Sequence, residues 1–449
     1  REKGQKNTGK VMPDLNTAFT LFLPARLDPA EVLNELNALE VIEIALAIPR
    51  PAPPPAVLNY EPRQGYLNPA TATNGVNAKY AWTLPGGNGA DVRVVDIEYN
   101  WNLQHRDLSA FLIGPAPVVP MSQSTNHHGT AVLGVMGGLS DGVGVTGIAW
   151  GSTFYVAAVS TGPNTNYNMA AAITTALTRL RPGDIIVLEQ QVDGPGMATN
   201  DWAPSEWFKP TYDAIVMAVA NEVIVCEAAG NGTNNLDSAI FNTGHMPFLP
   251  QNDSGAILIG AGAASGSTNR SRLEFSNYGS AVHLQGWGEM VVTTGYGDLA
   301  AADGTNALYT ATFNGTSSAT PVVAGAIAAL QGAHRARFGG AVIGPLEMRA
   351  LLQATGSAQT GPNERIGALP NLEDAIPLAF ARRIWVDFAF AGNPEGGSIR
   401  FPVKTLPLAV SAAPDGSAII MKGGTTPWTG TLSKPMTLHA YQGGATIGR

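Results

Sequence analysis

Short, mainly apolar runs recur through the middle of the chain. Val92–Ile97, Phe154–Val159, Ile185–Leu188, Val223–Cys226 and Ala256–Ile259 are rich in Val and Ile. Runs of this length suit strands buried on both faces. Between them lie helical stretches: His128–Leu139, Met169–Leu180, Tyr212–Asn221 and Ser317–Ala333. Alternating strands and helices predict an α/β fold over residues 60 to 380, with a mostly parallel sheet covered by helices.

The two flanks have a different texture. Phe19–Pro24 and Val41–Ile48 read as strands around a helix capped by Asp28, in which Val32, Leu33, Leu36 and Leu39 recur at helical spacing. The Pro-Arg-Pro-Ala-Pro-Pro-Pro run at 49–55 predicts an extended linker. After Phe380 the chain turns rich in Gly, Thr and Val. Strand-like runs at Ile399–Val403, Ala418–Lys422 and Met436–His439 surround a short helix at Leu406–Ala413, which suggests a β-rich appendage. The expected division is therefore 1–58, 59–380 and 381–449.

Composition narrows the function classes. A hydrophobic share of 45% is that of a folded protein rather than a disordered one. With 26 basic and 34 acidic residues the net charge is −8, which argues against a nucleic-acid partner. The single cysteine, Cys226, excludes an intrachain disulfide and a cysteine-based metal cluster. No apolar run approaches the ~20 residues of a membrane span. The opening Arg1-Glu2-Lys3-Gly4 is polar, so no signal peptide is expected within these residues.

Four positions carry candidate chemistry. Asp96 closes a buried strand, at the carboxyl edge where parallel sheets place ligands. His128, in Asn126-His127-His128-Gly129-Thr130, starts a helix whose dipole should keep the imidazole neutral. Ser317, in Asn314-Gly315-Thr316-Ser317-Ser318-Ala319-Thr320-Pro321, opens a small-residue helix whose first N–H groups could stabilise an oxyanion. Pro321 is expected in its first turn. Asn231 follows the strand Val223–Cys226 in Glu227-Ala228-Ala229-Gly230-Asn231-Gly232. Each alone has an ordinary structural explanation: a turn aspartate, a structural histidine, a helix cap, an Asn-Gly turn.

Together, in this order, they resemble the subtilisin-like serine proteases over residues 60–360. Gly315–Pro321 is similar to the family's Gly-Thr-Ser-x-Ala-x-Pro motif, and His128-Gly129-Thr130 to its His-Gly-Thr motif. Val94-Val95-Asp96, with His105-Arg106-Asp107-Leu108 downstream, is similar to its Asp motif. The sequence departs from the family at Asp96-Ile97-Glu98, where Asp-Ser/Thr-Gly is usual, so a second carboxylate replaces a turn glycine. The resemblance implies a three-layer subtilisin-like sandwich and a serine endopeptidase acting on proteins or peptides. It implies an Asp96-His128-Ser317 triad with Asn231 as oxyanion donor.

The resemblance also implies a structural calcium held by Asp107, Asp141 and the carbonyls of Leu139, Val143 and Val145. It implies a substrate-binding wall built from Glu189, Gln190, Gln191, Ala229 and Gly230. Residues 1–58 resemble the end of a propeptide, so a zymogen and a secreted or extracellular enzyme are implied. The C-terminal segment is similar to the opening coil of a right-handed parallel β-helix. Three other classes make different demands on these residues. A catalytically silent scaffold on the same frame would leave Ser317 inert to a fluorophosphonate. A nucleotide-binding enzyme would need the Gly142–Gly147 run to follow a strand and open a helix. An esterase of the nucleophile-elbow kind would need Gly-x-Ser-x-Gly around Ser317, which is absent.

Overall fold

In the computed structural model, which describes residues 2–12, 15–48, 58–108, 126–159, 167–196, 201–264, 270–361 and 364–448, the Val- and Ile-rich runs pair as strands. β1 (Arg93–Glu98), β2 (Thr153–Ala158) and β3 (Ile185–Leu188) come first. A short antiparallel pair follows, β4 (Gln191–Asp193) with β5 (Trp202–Pro204). β6 (Ile224–Ala228), β7 (Ile257–Gly262) and β8 (Leu284–Trp287) complete a parallel six-stranded sheet of order β2-β1-β3-β6-β7-β8.

Side chains alternate across this sheet. Val94, Val156, Val187, Cys226 and Ile259 face one core, shared with the helices His127–Gly137 and Thr316–Arg337. Val95, Ala157, Ile186, Val225 and Leu258 face a second core, shared with the helices Met169–Leu177 and Lys209–Ala220. Helices on both faces make the three layers. The same parity turns Asp96 and Glu98 toward the helices that carry His128 and Ser317.

The helix Thr316–Arg337 is buried through Arg335 because most of its residues are small and apolar. Pro321 sits one turn further in than its motif suggested, so its missing N–H leaves the Ser317 carbonyl without its usual donor. Charge fixes the far end. Arg335 Nη1 donates to Asp184 Oδ1 at 2.9 Å, and Asp184 also accepts from the N–H groups of Arg93 and Arg181. β9 (Val291–Thr294) and β10 (Tyr309–Phe313) form an antiparallel pair that leads directly into this helix.

The residues Arg1–Val57 form one compact unit and Leu58–Arg449 another. In the first, the helix Pro29–Asn37 forms as expected, with Asp28 Oδ1 accepting from the Ala30 N–H at 2.8 Å. Phe19–Pro24 and Val41–Ile48 are not strands. They have no ladder partner among the described residues, and Phe19, Phe22 and Val41 are exposed instead of covered. The Pro-rich run at 49–55 lies outside the described residues. In the second unit, β11 (Arg383–Val386), β12 (Ser417–Thr426) and β13 (Met436–Ile447) form a parallel three-stranded sheet, joined through the helix Leu406–Ala412. Ile399–Val403 is not a strand, because only Val403 finds a partner, Val386.

Because both charges are almost fully buried, removing one strands the other. Asp184→Ala should destabilise the unit by about 3–5 kcal/mol, read as a fall in the urea midpoint, and Asp184→Ala with Arg335→Met should recover part of that loss.

Candidate active site

His128 lies in the first turn of the helix His127–Gly137. Gly129 permits that start, since a Cβ there would stand 2.6 Å from the Asn100 carbonyl oxygen. The Phe313 ring meets the imidazole edge-on, 5.5 Å between centroids. His128 Nδ1 makes a short hydrogen bond with Glu98 Oε1. An ionised carboxylate only accepts, so Nδ1 carries the hydrogen and Nε2 remains free for the recess. Glu98 Oε2 is held in turn by the Tyr99 N–H at 3.0 Å and by Gln190 Nε2 at 2.9 Å.

The acid that meets His128 is thus Glu98 and not Asp96. Asp96 Oδ2 instead accepts from Trp101 Nε1 at 2.7 Å and is fully buried. The reason lies in the strand. Residues two apart share a face, and at ~3.3 Å per residue Glu98 stands ~7 Å nearer the carboxyl edge, on a longer side chain. Burial, then the charge of Glu98, hold the Asp96 carboxyl well above its ordinary value, against the Trp101 hydrogen bond. The helix start does not keep the imidazole easily deprotonated either. Burial pulls the His128 pKa down, but the charge and hydrogen bond of Glu98 outweigh it and raise the pKa overall.

Ser317 is reached through Gly315, whose φ of 98° turns β10 into the helix. As the second helical residue, Ser317 has a backbone N–H without an intrahelical acceptor. Asn231 Oδ1 accepts from the Thr316 N–H at 2.9 Å and from Thr316 Oγ1 at 3.0 Å. That leaves its Nδ2 as the donor end. His128, Asn231, Tyr296, Phe313, Gly315 and Ser317 line one recess of about 550 Å³. Asn277 braces the Asn231 loop from below. Its Oδ1 accepts from the N–H groups of Gly232 and Asn234, and its Nδ2 donates to the Ala229 and Trp202 carbonyls. No motif pointed to Asn277 or Trp101, whose roles depend on contacts distant in sequence or on a single ring nitrogen.

None of the residues expected to form the substrate wall is among those that line this recess. Glu189 and Gln190 are buried. Gln190 reaches Glu98, and Gln191 Oε1 accepts from the Asn231 N–H at 2.8 Å. Ala229 and Gly230 give their carbonyls to Asn277. Gln190, Gln191, Ala229 and Gly230 thus brace Glu98 and the Asn231 loop, while Glu189 is buried without a hydrogen-bond partner among the described residues.

Of the residues expected to ligate calcium, the two carboxylates carry protein hydrogen bonds. Asp107 Oδ2 accepts from the Val145 N–H at 2.8 Å and Oδ1 from the Tyr309 hydroxyl at 2.9 Å, so both oxygens are committed to donors. The Arg106 guanidinium stands over the Tyr309 ring at 5.2 Å. Asp141 closes a local turn onto the Val143 N–H at 2.9 Å. Burial first, against those hydrogen bonds and Arg106, raises the Asp107 pKa to about 6.

The described geometry coincides with a recorded family. The profile of the subtilase family matches residues 92–368. Subtilisin NAT from Bacillus subtilis subsp. natto is 29% identical over 254 residues, 56% of this chain, and the match spans 58% of that relative's length. The subtilisin of Bacillus pumilus is also 29% identical over 254 residues, here 80% of its length. A protease structure from Pseudoalteromonas arctica shares the fold with a TM-score of 0.52 at 18% identity, over 72% of this chain and 99% of its own. The matched span holds the strand of Glu98, the helix of His128, the turn of Asn231 and the helix of Ser317, and the chain belongs to the subtilase family.

Proposed function

We propose that the chain is a serine endopeptidase that hydrolyses peptide bonds of protein or peptide substrates, with Ser317 as nucleophile, His128 as base and Glu98 as the acid behind the imidazole. The observation that carries this reading is the Glu98–His128 hydrogen bond beside a recess that His128 shares with Ser317 and Asn231. Ser317 Oγ attacks the peptide carbonyl and passes its proton to His128 Nε2, which delivers it to the leaving amine. Glu98 fixes the tautomer and stabilises the imidazolium. Asn231 Nδ2 and the Ser317 N–H donate to the oxyanion. Water then hydrolyses the acyl-enzyme by the reverse proton route. Among the described residues no direct hydrogen bond joins Ser317 to His128, and such bonds characteristically tighten when substrate binds.

On the same reading, residues 1–58 are a propeptide-like segment and the enzyme is a secreted zymogen. The capped helix Pro29–Asn37 and the exposed apolar residues Phe19, Phe22 and Val41 support this. Among the described residues no helix is long and apolar enough to cross a membrane.

Ser317→Ala should abolish casein hydrolysis and fluorophosphonate labelling, a loss on the order of 10⁶-fold in kcat, as for a subtilisin that loses its serine. Full hydrolysis by that variant would overturn the reading. The choice of acid is tested separately. Glu98→Gln should cut kcat by about 10⁴-fold, the size of the loss when a triad acid becomes its amide. Asp96→Asn should cost less than about tenfold, one hydrogen bond's worth. The pH profile has a definite sign. The base must be neutral and Glu98 raises its pKa, so kcat/KM should fall as pH drops through a value above that of an ordinary histidine. The residual activity of Glu98→Gln should show that limb at lower pH.

A further inference from the structure

Glu189 is a buried acid without a job in the mechanism above. It follows β3 directly, is 5% exposed, and neither carboxyl oxygen has a hydrogen-bond partner among the described residues. The titratable groups that act on it are Asp96 and Glu98 on β1 and Cys226 on β6, and none of these is a cation. The neighbouring amide of Gln190, which could have served it, is committed to Glu98. Two residues earlier on the same face of the strand, Val187 packs in the core shared with the helix Thr316–Arg337, so the Glu189 side chain is turned toward the helix that carries Ser317.

An ionised carboxylate in such a place would be a buried charge beside two others with no donor of its own, an arrangement that costs far more than holding a proton. Burial first, then the charges of Asp96 and Glu98, raise the Glu189 pKa well above its ordinary value, and the Ser317 hydroxyl offsets this only in part. Protonated, the group has one O–H to give and faces one hydroxyl oxygen able to take it.

We propose that Glu189 is a positioning residue for Ser317, a neutral carboxylic acid whose O–H is donated to Ser317 Oγ and so leaves the serine's own proton directed at His128 Nε2. The inference rests on the protease reading above and adds a residue to it. Glu189 keeps its proton throughout, while the serine proton alone travels to His128. The protonation state decides the direction of the bond. An ionised Glu189 has no hydrogen to donate and instead accepts from Ser317, which turns the serine proton away from the base and sets a negative charge near the developing oxyanion. Activity should therefore be lost again as pH rises through the Glu189 pKa, a limb distinct from the acid limb of His128.

Glu189→Gln tests this, because the amide still donates to Ser317 Oγ and has nothing to ionise. Glu189→Leu, which donates nothing, is the companion. Rates of fluorophosphonate labelling and kcat/KM are measured across pH for all three forms, with the folded state of each checked by thermal melting. Glu189→Gln should retain at least about a tenth of wild-type labelling at neutral pH and lose the alkaline limb. Glu189→Leu should fall about tenfold or more in kcat with KM little changed, the worth of one orienting hydrogen bond. An alkaline limb unmoved in Glu189→Gln, or a folded Glu189→Leu as active as wild type, overturns the proposal while the protease reading stands. If Glu189→Leu does not fold, the pH profile of Glu189→Gln alone decides. A wild-type chain that neither takes the label nor hydrolyses peptide overturns the protease reading itself.

Discussion

Keeping a carboxylate in contact with an imidazole at the end of a buried strand is costly unless both of its oxygens are met by donors. Glu98 meets the condition with one oxygen on His128 and the other on the Tyr99 N–H and Gln190 Nε2. Much of the remaining site follows from this demand. Gln190 is held by the Ser205 hydroxyl on its carbonyl, and Gln191 holds the Asn231 backbone. Gln190 and Gln191 thus stand behind Glu98 and the Asn231 loop in turn. A fold that buries both faces of its sheet must bring those residues in as a group, since they continue the strand that lies beside β1.

Much of the scaffold was legible because it depends on short-range pattern. Ile185–Leu188 is strand β3 with the bounds its apolar run gave, and the small-residue stretch from Ser317 lies within the long buried helix. His128, Ser317 and Asn231 were legible from motifs, and the structure brings all three to one recess. Glu98 was not, for a physical reason. Period-two alternation sets Asp96 and Glu98 on one face, so parity alone does not choose between them. The choice is made by Trp101, whose indole N–H claims Asp96. Asn277 and Tyr309 escaped notice because each serves backbone or side-chain partners far away in the chain. The bonding of Asp107 was hidden in the same way. Asp107 has the expected place but is surrounded by donors, a fact carried by Tyr309, 202 residues downstream.

Exposed apolar runs misled in the opposite direction. Phe19–Pro24 and Val41–Ile48 carry strand-like side chains, yet a strand exists only where a neighbour completes its ladder. Apolar character thus marks surface available for burial, and the surrounding chain decides whether it becomes sheet.

The parallel sheet of β11, β12 and β13 carries its own consequence. One face, with Ile384, Val386, Ile419 and Met421, packs on the helix Leu406–Ala412. The other gives Trp385, Ala418, Ile420 and Tyr441 to the same core as Met348 and Leu352. Arg383 also pairs with Glu347 at 2.8 Å. The last part of the chain therefore has a small core of its own on one face and shares the core of the catalytic sheet on the other. Evolution or engineering could not exchange it as a cassette at Phe380. A replacement tail would have to present matching apolar relief to the helix Pro345–Thr355, so sequence change in the two regions is tied together even though their backbones are continuous at a single point.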